Sequence, residues 1–150
     1  MESIDNKQNL GGLDYLKLLF NSEGDHLYQK FTDLFPAIVY IFDAETRKLR
    51  FINKQITDIL GYTYEDVLAW DNDLMKAVFQ DDIEIVTKEL EKFYALKDDD
   101  FHSYNSRLIP KAGDFKYFKT LGTILRRKEN GNPDSILFIA QDITDQLSSS

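Results

Sequence analysis

Three strand-like segments follow one another in the last third of the chain, and this run most narrows the possible folds. They span residues 103–109, 115–127 and 135–143. Turn-forming sequences separate them at 111–114, which contains glycine, and at 130–133, which contains asparagine, glycine and proline. Because short turns join antiparallel neighbours, these segments predict a hairpin-linked sheet. One face of the middle strand is expected to carry Phe118, Thr120, Gly122 and Ile124.

A second hairpin is predicted earlier in the chain. Residues 37–42 are a nearly continuous apolar run rich in β-branched side chains, which is typical of a buried strand. Residues 43–48 are expected to turn, and residues 49–52 to return as the partner strand. Between this hairpin and the later strands, the spacing of the apolar residues is helical.

Short helices are predicted between the two groups of strands. Asn53 is expected to cap the first, and Gly61 to end it in a left-handed conformation. Thr63 is expected to start the second, with Asp66 placed for a capping box. Residues 70–78 are interpreted as a helical connection.

The longest helix is expected to be capped by Asp81 or Asp82 and to end in the acidic run 98–100. Its apolar stripe comprises Ile83, Val86, Leu90 and Phe93. Strands, then helices, then strands, without βαβ alternation, indicate an α+β fold with an antiparallel sheet. Two earlier apolar stripes, at 13–20 and 27–35, predict an N-terminal helical extension.

The composition excludes several classes of function. The net charge is −8, so direct contact with nucleic acid or an anionic membrane is not expected. The chain has no cysteine, which excludes disulfides and thiolate metal sites. The N-terminus lacks the regions of a signal peptide, and no apolar run approaches the ~20 residues that span a bilayer. We therefore expect a cytoplasmic protein.

No catalytic constellation is recognisable in the sequence. His26 and His102 lie in different segments, without the spacing of metal ligands. Phosphate loops, nucleophile elbows and zinc-protease motifs are missing. The acidic run 98–100 is more typical of a solvated helix end than of a cation site. We expect no enzymatic activity and no metal site.

Four local motifs in this order resemble the PAS family of signal-transduction domains. The first combines Tyr40-Ile41-Phe42-Asp43, Phe51-Ile52-Asn53-Lys54 and Ile59-Leu60-Gly61-Tyr62. The second, Phe79-Gln80-Asp81-Asp82, is similar to the start of the family's long helix. The others are Arg107-Leu108 before Lys111-Ala112-Gly113-Asp114, and Asp142-Ile143-Thr144-Asp145. The resemblance implies a five-stranded antiparallel sheet with its helices packed on one face.

The resemblance also sets the expected domain limits and implies a cavity between the sheet and the long helix. Residues 1–29 would form the N-terminal helical extension, residues 30–146 the PAS domain, and residues 147–150 the start of a linker or a disordered tail. The candidate pocket residues are Phe42, Ile56, Leu60, Phe93, Tyr104, Phe118 and Phe138. The alternative is that these side chains simply pack the core, as apolar stripes usually do.

One departure from the family pattern bears directly on this pocket. Phe138 stands where relatives often carry glycine or another small residue, so its ring could fill the cavity. Photoactive members of the family hold flavin or a coumaryl group through a cysteine, which this chain lacks, and haem-binding members use a histidine on the long helix, where residues 83–96 contain none. The resemblance therefore makes haem and a cysteine-linked flavin unexpected. The cofactor is unknown, with none as the simplest expectation, and non-covalent flavin stays open.

The N-terminal stripes have two interpretations. They are expected either to mediate a homodimer or to cover the open face of the chain's own sheet, because both bury the same apolar stripe. The residues concerned are Leu13, Leu16, Phe20, Leu27, Phe31 and Leu34.

The resemblance implies a sensory or regulatory module of a sensor kinase or a transcription regulator. It would sense a small ligand or mediate protein contact, and pass the signal through Asp142, Ile143 and Thr144 to a C-terminal output domain. The alternative function is a stand-alone protein that binds a small molecule or a non-covalent flavin.

Overall fold

The computed structural model of the chain describes residues 29–148, with side chains described as far as residue 147. The chain divides into the units Met1–Leu34 and Phe35–Ser150. In the first unit, residues 29–33 are helical, and Phe31 and Leu34 are exposed. The sheet and all the helices named below belong to the second unit.

Five antiparallel strands form one sheet, which confirms the predicted α+β class. The strands are β1 Ile38–Asp43, β2 Leu49–Ile52, β3 His102–Leu108, β4 Lys116–Arg127 and β5 Pro133–Asp142. Their order across the sheet is β2-β1-β5-β4-β3. The last strand therefore lies in the middle, between the first strand and β4, because the helical segment carries the chain from β2 to the opposite edge.

The helical segment contains α1 Gln55–Leu60, α2 Tyr64–Ala69, 3-10 turns at Leu74–Ala77 and Gln80–Asp82, and α3 Ile83–Phe93. A short helix, α4 Thr144–Ser148, follows β5. Among the described residues, no helix has both the length and the apolar character needed to cross a membrane.

The two faces of the sheet differ as the alternation in β4 predicts. Phe118, Thr120, Gly122 and Ile124 are buried on the face that carries the core. On the other face, exposed apolar side chains include Tyr117, Leu121, Leu125 and Ile139. A strand with one buried and one solvated face is typical of antiparallel sheets.

Local capping signals correctly placed the ends of the two short helices. Gly61 follows α1 with a φ of 86°, which is the left-handed conformation that favours glycine. Thr63 caps α2 in a reciprocal capping box with Asp66. The connection over residues 70–78 contains the 3-10 turn Leu74–Ala77.

The predicted role of Asn53 is wrong. The N-cap position of α1 is Lys54, without a side-chain hydrogen bond to the helix. Asn53 is fully buried, and its side chain accepts a hydrogen bond from the Val39 backbone at 3.0 Å and donates one to the Ala37 carbonyl at 3.0 Å. It therefore ties the end of β2 to the start of β1.

The predicted cap of α3 also needs correction. Asp82 occupies the N-cap position, but its carboxylate makes no capping bond. It instead accepts hydrogen bonds from the Arg107 backbone at 2.7 Å and from the Arg107 guanidinium at 3.0 and 2.5 Å. The Arg107 guanidinium lies over the Phe79 ring, 4.6 Å from its centroid. This ion pair fastens the start of α3 to β3.

The apolar stripe of α3 is confirmed at three of its four positions. Val86, Leu90 and Phe93 are buried, whereas Ile83 is 37% exposed. Ile83 is the first residue of the helix, and Asp82, directly before it, is the residue that turns inward to β3. The buried face of α3 thus begins one turn later than predicted.

Replacing Asp82 by asparagine tests the ion pair through its pH dependence. The Arg107 guanidinium lowers the pKa of Asp82, so the pair stabilises the fold above the unfolded-state pKa. That stability is lost as the pH falls through the folded-state pKa. At pH 7 we expect Asp82→Asn to lower the free energy of unfolding by about 2 kcal/mol, with the difference shrinking in acid.

Urea unfolding of both proteins between pH 7 and pH 3 measures this effect. The matched control is Asp81→Asn, because Asp81 is the exposed neighbour of Asp82. Equal effects of the two substitutions, or a difference that widens in acid, would contradict the assigned role of the pair.

Candidate functional site

A cavity of about 260 Å³ lies between the sheet and the helical segment. Strands β1, β3, β4 and β5 supply one wall, and the helices supply the other. The buried apolar lining consists of Ile38, Phe42, Ile56, Leu60, Val78, Val86, Leu90, Leu108, Phe138 and Ala140. A concave, mostly apolar space with a few polar groups is the usual form of a small-molecule site.

Five of the seven predicted pocket residues line this cavity, namely Phe42, Ile56, Leu60, Tyr104 and Phe138. Phe93 and Phe118 do not. Both are fully buried core residues. The Phe93 ring packs edge-on against Phe138, with centroids 5.0 Å apart, and so stands behind a lining residue rather than at the cavity.

Phe138 does not fill the cavity. Its ring stacks on Tyr40 with centroids 5.0 Å apart and lies over Gly122, its register partner in β4. A Cβ atom on Gly122 would lie 2.7 Å from the Phe93 ring and 2.8 Å from the Phe138 ring. The missing side chain of Gly122 therefore makes room for both rings, and the space beside them stays open.

Four hydroxyl groups line the interior of the cavity. They belong to Tyr40 on β1, Tyr104 and Ser106 on β3, and Thr120 on β4. The side chains of Tyr40, Tyr104 and Thr120 lie close enough together to influence one another's ionisation, so their hydroxyls form one cluster. Burial raises the pKa of Tyr40 well above its usual value and the pKa of Tyr104 to about 12. Both phenols are therefore neutral near pH 7.

The sheet brings this cluster together across two intervening strands. Strands lie about 4.8 Å apart, so three steps separate β1 from β3 by about 14 Å. Tyr104 pairs with Thr120, and Thr120 pairs with Ala140 of β5. Because Ala140 is small, the side chain of Tyr40 can reach across β5 to the other two hydroxyls.

Sequence reasoning missed three of these four hydroxyl residues, Tyr40, Ser106 and Thr120. Thr120 is predicted on the correct face of its strand but is not among the predicted pocket residues. The spacing of Tyr104 and Ser106 puts both on one face of a strand, which is the signal that could have found Ser106. The pairing with Tyr40 depends on strand order.

The mouth of the cavity is formed by two segments whose lining residues are partly accessible. One is the β1–β2 turn with Thr46, Arg47 and Lys48, and the other comprises residues 73–75. The guanidinium of Arg47 donates a hydrogen bond to the Tyr94 hydroxyl at 3.2 Å and lies over that ring. This contact fixes the turn to the end of α3.

The other charged groups at the mouth are also engaged. Lys48 forms an ion pair with Asp71 in which both side chains are exposed. An Asp73 carboxylate oxygen accepts a hydrogen bond from the Met75 backbone at 3.1 Å. The charges thus lie at the solvent side of the cavity, and the hydroxyls lie inside.

Within the part of the chain that the structure describes, no three histidine, aspartate or glutamate side chains are grouped to hold a metal. His102 contacts Glu89, with 2.7 Å between Nε2 and Oε1, and His26 lies outside the described residues.

The predicted transmission residues join β5 to α4. An Asp142 carboxylate oxygen accepts a hydrogen bond from the Thr144 backbone at 2.9 Å. The Tyr117 backbone donates to the Thr144 hydroxyl at 2.9 Å and accepts from the Ile143 backbone at 2.8 Å. The end of β5 and the start of α4 are thereby tied to the start of strand β4.

Most of the predicted dimer or cover residues cannot be placed. Leu13, Leu16, Phe20 and Leu27 lie outside the described residues, while Phe31 and Leu34 are 50% and 84% exposed. Homodimerisation and sheet covering both stay predictions.

Comparison with known proteins agrees with this geometry. A family model described as the PAS fold matches residues 49–140. The PAS domain of a protein from Colwellia psychrerythraea is similar, with a TM-score of 0.65 and 20% identity, over 81% of this chain and 99% of that one. No curated protein sequence shows a significant match to the chain.

Two further solved structures come from signalling proteins. The N-terminal domain of a diguanylate cyclase with PAS/PAC sensor from Marinobacter aquaeolei has a TM-score of 0.60 and 17% identity, over 74% of this chain and 98% of that one. A sensory box histidine kinase/response regulator from Burkholderia thailandensis has a TM-score of 0.59 and 18% identity, over 76% of this chain and 82% of that one. With the matched family model and the observed sheet order, these similarities show that the chain belongs to the PAS fold family.

Proposed function

We propose that this domain is a non-catalytic sensory module that binds a small molecule in the cavity and relays its presence through β5. The observation that carries the proposal is the cavity itself, a mostly apolar space whose sheet wall carries hydroxyl residues from β1, β3 and β4. The similar domains from a diguanylate cyclase and a histidine kinase support a signalling role.

The proposed relay follows the strand that lines the cavity. Phe138 and Ala140 contact the cavity, and α4 begins at Thr144, four residues after Ala140. A ligand that binds one packing of β5 more tightly than another shifts the population toward it. Asp142, Ile143 and Thr144 would then reposition α4 and an output domain beyond it, in a sensor kinase or a transcription regulator.

The cavity volume argues against the alternative of a flavin carrier. A cavity of 150 Å³ holds benzene, so 260 Å³ accommodates about ten non-hydrogen atoms on the same scale. The three-ring system of a flavin with its ribityl chain is far larger than this. Binding it would require the helical segment to move away from the sheet.

A thermal-shift screen of small, uncharged and charged compounds tests the proposed function. A ligand at one hundred times its dissociation constant stabilises the native state by about 2.7 kcal/mol, which raises the melting temperature. We expect at least one compound to do so in a saturable way in the wild type. Ala140→Leu, which places a larger side chain in the cavity, is expected to abolish the shift.

Two further variants make this test decisive. Leu90→Phe fills the cavity from the helical side, in case Ala140→Leu is too unstable to analyse. Ile139→Leu is the matched control, because Ile139 precedes Ala140 but lies on the exposed face of β5. Binding that survives both filling variants, or a screen without any saturable shift, would refute the proposed site.

A further inference from the structure

We propose that the ligand is a small uncharged molecule that places a hydrogen-bonding group against the hydroxyls of Tyr40, Tyr104 and Thr120 and an apolar body against the helices. This inference rests on the proposed function and names the chemical class that the cavity selects. It follows from the polarity, the charge and the size of the cavity lining.

The hydroxyl cluster supplies both donors and acceptors at the sheet wall. Each hydroxyl can both donate and accept a hydrogen bond, and the three residues that carry these hydroxyls line the same wall of the cavity. Ser106, which is 7% exposed, adds a fourth hydroxyl beside them. A ligand hydroxyl, carbonyl or amide can join such a cluster by accepting or donating, without leaving a buried polar group unpaired.

As far as the structure describes the chain, the interior of the cavity offers no charged side chain that could pair with a charged ligand group. Among the described residues that line the cavity, the buried ones carry no charged side chain, and burying an unpaired ion costs several kcal/mol. Arg47 and Lys48 stand at the accessible mouth, engaged with Tyr94 and Asp71. The Glu89 carboxylate contributes to raising the pKa of Tyr104, so its field also disfavours an anion there.

An ammonium group is disfavoured for a related reason. The Glu89 carboxylate, which acts on Tyr104, does not line the cavity. It already forms an ion pair with Lys92 and contacts His102 Nε2, each at 2.7 Å. The Asp73 carboxylate, at the mouth, accepts from the Met75 backbone. An ammonium among the hydroxyls would therefore keep its charge uncompensated.

The opposite wall favours an apolar or aromatic body. Val86 and Leu90 of α3 face the cavity, and the rings of Phe42 and Phe138, 4.8 Å apart, form its end. Met75 lies at the mouth, where its flexible thioether can adapt to ligands of different shape. Together with room for about ten non-hydrogen atoms, these walls fit a substituted benzene ring or a short alkyl chain.

Four probes of one shape but different head groups test the inference. They are benzyl alcohol, toluene, benzoate and benzylammonium, titrated at pH 7 into methyl-labelled protein and followed by NMR at the methyls of Val86, Leu90 and Met75. We expect benzyl alcohol to bind at least tenfold more tightly than either ion. Its affinity should be about fivefold higher than that of toluene, because benzyl alcohol adds one hydrogen bond.

Removing one hydroxyl locates the polar contact. Tyr104→Phe keeps the ring and is expected to weaken benzyl alcohol binding about fivefold, while toluene binding changes less than twofold. Tyr117→Phe is the matched control, because Tyr117 lies on the other face of the sheet and is exposed. It should change neither affinity.

The outcomes separate the two proposals. Tightest binding by benzoate or benzylammonium, or equal binding of toluene and benzyl alcohol, would overturn the ligand class but leave the cavity as the binding site. If none of the four probes shifts the cavity methyls, or the shifts occur only at the outer sheet face, the proposed function is overturned with it.

Discussion

Replacing Phe93 by alanine is expected to lower the free energy of unfolding by about 3–5 kcal/mol. Phe93 is fully buried at the end of α3. Its ring makes edge contacts with Phe138 and His102, with centroids 5.0 and 5.1 Å apart, and lies against the backbone of Gly122. Since glycine has no side chain that could move into the space, the hole left by the ring stays open.

Urea unfolding, followed by the fluorescence of Trp70, measures the loss. The matched control is Phe101→Ala, because Phe101 is 65% exposed just before β3, and its removal should change stability by less than about 0.5 kcal/mol. Comparable losses for the two variants would mean that Phe93 is not the link between α3 and the sheet. The assigned core would then be wrong.

The second large effect is expected for Asn53→Ala. The substitution leaves the backbone donor of Val39 and the carbonyl of Ala37 without the side-chain partners they have at 3.0 Å. Each buried polar group without a partner costs about 1–3 kcal/mol, so we expect a total loss of about 3 kcal/mol. The hydrogen bond from the Asn53 backbone to the Val39 carbonyl, at 2.9 Å, is retained in the variant.

The control for this variant is Asn105→Ala, because Asn105 is an exposed asparagine within β3. Chemical denaturation of the two variants side by side gives the comparison. Hydrogen exchange at the Val39 amide adds a local measurement and should speed up only in Asn53→Ala. If Asn53→Ala is as stable as the wild type and hydrogen exchange at Val39 is unchanged, the structural role assigned to Asn53 is wrong.

Sequence signals that act over a few residues predicted the fold well. Alternation identified the buried face of β4, and the capping box at Thr63 and Asp66 marked the start of α2. Gly61 marked the end of α1 because a left-handed residue is needed there. These features depend on backbone geometry within one turn or one strand, which the local sequence determines.

Residues with a long-range partner were misassigned. Asn53 and Asp82 each precede a helix and carry a side chain that suits a cap, yet each bonds to a strand distant in sequence. For a buried polar side chain, bonding to a backbone or ion-pair partner in the core is more favourable in free energy than capping an exposed helix end. Nothing in the neighbouring residues of either position reveals that partner.

The polar part of the candidate site was missed for the same reason. Tyr40 and Tyr104 are 64 positions apart and meet only because β5 inserts between β1 and β4. The apolar lining was easier to predict, because burial follows from periodicity alone. Strand order decides which buried hydroxyls face one another, and it follows from the whole chain rather than from any segment.

Hydrogen exchange at the start of α4 tests most directly whether cavity occupancy reaches the C-terminal helix. The Ile143 amide donates to the Tyr117 carbonyl at 2.8 Å, and the Leu147 amide donates to the Ile143 carbonyl at 3.1 Å. With saturating benzyl alcohol, we predict that exchange at both amides changes in the wild type and stays constant in Ala140→Leu. Unchanged exchange at both amides in wild-type protein whose cavity methyls report full occupancy would contradict the sensory account.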